Sequence, residues 1–78
     1  MNKVFLIGNL TRDPELRTTA SSKSVCSFSI AVNRAFSNQQ GEKVTDFFNI
    51  IVWGKLGENC AKYLSKGRKV AVMGEIQN

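Results

Sequence analysis

Asp46-Phe47-Phe48-Asn49-Ile50-Ile51-Val52-Trp53-Gly54, followed at once by Lys55-Leu56-Gly57-Glu58-Asn59-Cys60-Ala61-Lys62-Tyr63-Leu64, decides the fold of this chain. The run from Asp46 to Trp53 reads as a strand. Phe48, Ile50 and Val52 fall on one side of a period-two pattern, and Phe47, Asn49, Ile51 and Trp53 on the other. Both sides are largely apolar, so the strand should be covered on both, by protein or by ligand. Gly54 ends it. The period then changes: Leu56, Cys60, Tyr63 and Leu64 recur at i, i+4, i+7 and i+8, the stripe of a short helix over Lys55–Leu64. Glu58 and Lys62 stand at i and i+4, a favourable pair on a helix surface. Gly67 is placed to cap the helix at its C-terminus. A last strand follows from Lys69 to Ile76. A helix inserted between two strands near the chain's end is the feature around which the rest arranges itself.

Upstream, Val4 to Leu10 forms a first strand, with Gly8 marking a bend or bulge. Thr11 to Glu15 is a turn or kink, since Pro14 lacks an N–H and Asp13 favours local turns. Thr18 to Ser24 is polar and reads as a loop. The second strand, about Ser24 to Arg34, alternates cleanly. Cys26, Phe28, Ile30 and Val32 face one way, and Val25, Ser27, Ser29, Ala31 and Asn33 the other. That second face is small and leaves room for something to lie on it. A polar arm around Gly41 spans Ala35 to Val44, with Phe36 at its base. The order is β-β-β-α-β, all-β with a small helical insert. That is the wiring of the five-stranded Greek-key OB barrel, short of its last strand. The whole of residues 1–78 reads as one such domain, C-terminally incomplete.

The totals narrow the function. With 78 residues, 42% of them hydrophobic, the chain suits one small soluble domain. No apolar run approaches the roughly 18 residues of a membrane span. No signal-peptide core follows Met1-Asn2-Lys3, and an intracellular setting is expected. The net charge of +5 favours polyanions as partners. The basic residues are spread along the chain, which points to a charged folded surface rather than a basic tail. There is no histidine, so no histidine-based catalytic triad or dyad. The carboxylates Asp13, Glu15, Glu42, Asp46, Glu58 and Glu75 show no pairing suited to acid–base work, and no phosphate-cradling glycine loop occurs. No catalytic role, metal site or cofactor is expected. Cys26 and Cys60 are too few and too far apart for zinc, and read as reduced core thiols.

Binding has more to stand on. If Phe48, Ile50 and Val52 face the core, then Phe47 and Trp53 become outward aromatics on one face, with Lys55 beside them and Phe36 in the arm before them. Bases stack on exposed rings while Lys and Arg track the phosphates, and stacking is indifferent to sequence. The competing reading makes Phe36, Phe47 and Trp53 core or subunit-contact residues, because aromatics are usually buried. Lys62, Lys66, Arg68 and Lys69 read equally well as a solvated helix end whose charges suit the helix dipole.

The residues also carry a resemblance. Asn2 through Arg17, the run Phe28-Ser29-Ile30-Ala31-Val32-Asn33-Arg34 with Phe36, the segment Thr45 through Lys55, and Glu58-Asn59 with Tyr63 to Gly67 are similar to the bacterial single-stranded-DNA-binding proteins. The resemblance covers essentially the whole chain. It implies an OB fold, a homotetramer, a cytoplasmic and nucleoid-associated setting, and sequence-independent binding and protection of single-stranded DNA in replication, recombination and repair. It implies stacking at Phe36, Phe47 and Trp53 and phosphate contacts at Lys3, Arg17, Lys55 and Lys66; position beside the arm adds Arg34. Thr18 stands where the family usually has an aromatic residue. The family continues into a fifth strand and an acidic-tipped tail that recruits proteins, so tail-mediated partners are not expected of these residues. A second reading is a self-associating remnant that binds DNA poorly through its open strand edges. A third is a primosomal accessory protein of the same fold.

Overall fold

A computed structural model describes residues 3–34 and 44–75. Phe36 and most of the expected arm lie outside the described residues, as does the expected last residue of the final strand, Ile76. Five strands and one helix run in the order β1 (Lys3–Leu10), β2 (Glu15–Thr18), β3 (Ser24–Asn33), β4 (Thr45–Trp53), α1 (Gly54–Tyr63) and β5 (Lys69–Glu75). All pairings are antiparallel. β4 pairs with one edge of β3. The other edge of β3 carries β1 and β2 in succession, and β5 pairs with β1.

The short β2 is a correction to the sequence reading, which took Glu15 as the end of a turn and assigned no strand between Leu10 and Ser24. Four exposed residues, two of them charged, carry no burial pattern. They become a strand because β3 offers them a ladder: Glu15 lies opposite Ser27 and Thr18 opposite Ser24. Upstream, Leu10 lies opposite Ile30. Thr11 to Pro14 therefore bulge over Phe28 and Ser29, with the Thr11 N–H on the Ser29 carbonyl at 2.9 Å. β1 and β2 are one barrel strand delivered in two pieces. The architecture is an OB fold lacking its last strand, as the wiring predicts.

Gly8 is no bulge. It sits where β1 crosses β3, and a Cβ there would lie 2.5 Å from the Ala31 carbonyl oxygen. The glycine permits that close approach.

Leu10, Cys26, Phe28 and Ile30 form the buried core, with Leu6, Val32, Ile50, Val52, Cys60, Leu64 and Val72 packed around it. Three of these four buried side chains come from β3. Helix α1 meets this core differently from the predicted stripe. Leu56 and Tyr63 are 66% and 64% exposed. The packed face is Gly57, Cys60, Ala61 and Leu64. Gly57 decides this: a Cβ there would collide with the Val52 carbonyl and lie 3.3 Å from the Cys26 nitrogen, so backbone rests on backbone.

Glu58, expected to pair with Lys62, accepts the Ser24 hydroxyl at 2.8 Å instead. The helix ends at an extended Leu64, and Gly67 serves the following Ser65–Arg68 turn, with φ of 88°, rather than the helix cap.

Among the described residues the outer edges of β4 and β5 have no strand partner. Between them opens a cleft of about 690 Å³, lined by Val4, Leu6, Ile50, Val52 and Val72 of the inner face and also by Ile51 and Trp53. The barrel is open along this seam.

Candidate nucleic-acid interface

The outer face of the β2–β3–β4 sheet is set by register. In an antiparallel ladder, opposed residues share a face. Trp53 lies opposite Val25, Ile51 opposite Ser27, Asn49 opposite Ser29, and Phe47 opposite Ala31. On the next strand, Arg17 lies opposite Val25 and Glu15 opposite Ser27. The result is a ridge on β4, Phe47–Asn49–Ile51–Trp53, beside a low floor of small β3 residues, bounded on the far side by the charged β2.

Phe47 is 68% exposed and Trp53 57%. The outer side of β4, expected to be covered on both faces, is open to solvent. The assignment of Phe48, Ile50 and Val52 to the inner face holds for Ile50 and Val52, which pack on the core. Phe48 points the same way but stands at the lip of the open cleft and stays over a third exposed. The core alternative for Phe47 and Trp53 is therefore excluded within this chain. Phe47 and Trp53 are six positions apart, about 20 Å along the strand.

The expected basic residues divide. Arg17 stands in the same cross-strand row as Trp53, two strands away, about 10 Å between backbones. Lys55, exposed, opens α1 two residues after Trp53. Lys66 is elsewhere: its backbone N–H donates to the Asp13 carboxylate at 2.8 Å, beyond the far end of α1 and against the β1–β2 bulge. Lys3 shares the outer face but starts β1, six residues before Asn9, which lies opposite Ala31.

Arg34 is engaged. Its Nε and Nη2 donate to the two Asp46 carboxylate oxygens at 2.8 and 3.1 Å. Hydrogen bonding from Arg34 holds the Asp46 carboxyl below the usual carboxylate range. Asp46 alternates with Phe47, so this pair sits on the side of the hairpin away from the ridge. Thr45 and Asn33, on the ridge side, hydrogen-bond across the same hairpin at 2.9 Å. Together they pin the root of the arm.

Sequence reasoning put Asn49 and Ile51 on the face of Phe47 and Trp53 and left the small face of β3 open for something to lie on, without joining the two into one surface. The alternation that exposed Phe47 and Trp53 already placed the first two; only the register aligns the floor and β2 with them.

A small OB barrel, open at one seam, with an aromatic outer ridge above a small-residue floor, is the class these features define. A profile of the single-strand binding protein family matches residues 1–78, and the chain belongs to that family. It is 56% identical over 77 residues to a single-stranded DNA-binding protein of Halalkalibacterium halodurans, covering 99% of this chain and 46% of that protein. It is 57% identical to single-stranded DNA-binding protein 1 of Staphylococcus aureus, covering 99% and 49%. It is 52% identical to the single-stranded DNA-binding protein of Bacillus cereus, covering 99% and 45%. The chain thus spans about half the length of the curated relatives it matches.

Proposed function

We propose that this chain binds single-stranded DNA without sequence preference, as a module of a protein that protects such DNA in replication, recombination and repair. The observation that carries the reading is the exposed ridge of Phe47, Ile51 and Trp53 standing over a floor too small to obstruct a strand. Bases stack on the two rings, and the span between them admits the intervening nucleotides. Arg17 and Lys55 flank Trp53 and neutralise phosphates; Phe36, Lys3 and Lys66 complete the set implied by the family, and Arg34, added from its position beside the arm, is held by Asp46. The names of its relatives agree with this reading. It requires no catalysis and no cofactor.

Among the described residues no helix is long and apolar enough to cross a membrane. A cytoplasmic, nucleoid-associated protein fits a DNA ligand.

Self-association is part of the proposal. Phe5 lies opposite Met73 and Ile7 opposite Ala71 on the outer face of β1–β5, and Phe5, Ile7 and Met73 are each nearly half exposed or more. A contiguous apolar patch of this kind marks a contact surface. A homotetramer is the assembly the family implies.

The test is titration of the chain with oligo(dT), following Trp53 fluorescence, the chain's one tryptophan. Quenching that salt reverses is expected, because phosphate neutralisation releases counterions. Unchanged fluorescence together with no mobility shift at low salt overturns the reading. In sizing, a monomer overturns the assembly alone.

A further inference from the structure

Glu15 stands on β2 two residues before Arg17, and so on the same outer face. Its Oε1 lies 3.0 Å from the Arg17 Nε. Glu15 faces Ser27 across the ladder, and Ser27 faces Ile51. A carboxylate is thus set into the same strip of surface as the ridge, one row from Trp53. On a surface for a polyanion, that is a conflict unless the carboxylate does something there.

We propose that Glu15 is an internal stand-in for a phosphate: it holds the Arg17 guanidinium on the outer face and yields it to a strand phosphate, and so sets the affinity and salt dependence of the site. The inference rests on the single-strand-binding reading above. Three observations carry it. The two side chains are 70% and 64% exposed, and an ion pair so wet exchanges partners at little cost. Arg17 stands in the Trp53 row, with its Nε turned to Glu15 in the adjacent row, beside the path of a strand stacked on that ring. Carboxylate and phosphate offer a guanidinium the same oxygen geometry.

The contrast is Arg34 with Asp46, the other ion pair among the described residues. There both carboxylate oxygens are engaged, and the pair lies on the side of the hairpin away from the ridge. It braces the arm's root with two hydrogen bonds, where the Arg17–Glu15 pair has one close contact.

Displacing Glu15 has a consequence for ion counting. The freed carboxylate then sits beside a polyanion and keeps a cation near it. Binding therefore releases fewer ions in net than Arg17 alone would bring about.

The experiment measures anisotropy of fluorescein-labelled oligo(dT) across a salt series with the wild-type chain, Glu15→Gln, Arg17→Gln and the double variant. Circular dichroism melts confirm that all four fold. Glu15→Gln is expected to bind about two- to fivefold tighter at low salt, the scale of one exposed pair. Its log–log salt slope should steepen by up to about 0.7, the share of one single-strand phosphate. Arg17→Gln should bind more weakly, and in its background Glu15→Gln should add little.

A gain from Glu15→Gln that persists at full size without Arg17 overturns the proposal, since it marks plain repulsion. An unmoved slope or a weaker Glu15→Gln also overturns it. If the wild-type chain binds no oligo(dT), the single-strand reading itself fails, a result distinct from all of these.

Discussion

Phe47→Ala separates the ridge's role in binding from any role in folding. Phe47 projects from the outer side of β4 with 68% of its surface exposed, so truncation removes little buried area. A surface substitution of this kind shifts stability by about 0.5 kcal/mol or less. A stacked base is worth about 1–3 kcal/mol, the range known for single-strand-binding OB folds as a class. At 1.4 kcal/mol per factor of ten, the dissociation constant for oligo(dT) should rise about 5- to 150-fold. The salt slope should stay where it was, because a ring releases no counterions. The assay is Trp53 quenching at four or more salt concentrations, with thermal melts of both proteins in parallel. Affinity within twofold of wild type refutes stacking at Phe47. A melting temperature lowered by several degrees refutes the claim that the ring lies outside the core. An altered slope shows that the loss came through displaced charges.

Gly57→Ala should destabilise the fold by about 1–3 kcal/mol, since its Cβ would drive α1 off the Val52 and Cys26 backbones; an unchanged urea midpoint refutes that packing. Burial pushes both thiols, Cys26 and Cys60, above the ordinary value. Their contribution is whole below the unfolded thiol pKa, about 8.5, and is lost as pH rises through the folded values. Urea midpoints should fall above that pH, and less so in Cys60→Ala; an equal fall in both refutes the assignment. Asp46 is the opposite case, its pKa lowered by the Arg34 hydrogen bond. Its contribution is present above the unfolded carboxyl pKa, about 3.9, and is lost as pH falls through the lower folded value. Asp46→Asn should flatten stability in that acid window, and a parallel profile would show the pair to be idle.

The alternations of the second and third predicted strands survived in the structure as β3 and β4 almost residue for residue, because period two is written directly by which side chains are apolar. Helix α1 was legible as an element but not as a face. Leu56 and Tyr63 look like core by spacing, yet a glycine at 57 lets backbone approach backbone and turns the packed face toward Cys60 and Leu64. That preference for contact over hydrophobicity has no periodic signature. β2 was illegible for a related reason: Glu15 to Thr18 bury nothing, and their strand exists only because β3 has an edge to offer. Arg34 was legible as a cation near the arm, but its engagement by Asp46 depends on hairpin register, which the arm's sequence does not state.

The same register explains how an open barrel can still hold a complete surface. Cys26, Phe28 and Ile30 of β3 point inward and make most of the core, while Ser27, Ser29 and Ala31, between them, make the floor. The ridge is hung on that floor by the β3–β4 ladder, and Arg17 by the β2–β3 ladder. The β3–β4 ladder uses the edge of β4 opposite the seam, while Asn49, Ile51 and Trp53 of the ridge also line the cleft. The side of β3 that packs the fold and the side that faces the ligand are thus one strand's two faces. A closing strand would bury Val4, Leu6 and Val72 and raise stability. The floor of β3 and Arg17 lie away from that cleft. A closing strand should therefore raise the melting temperature and also bear on the Trp53 end of the ridge, which lines the same cleft.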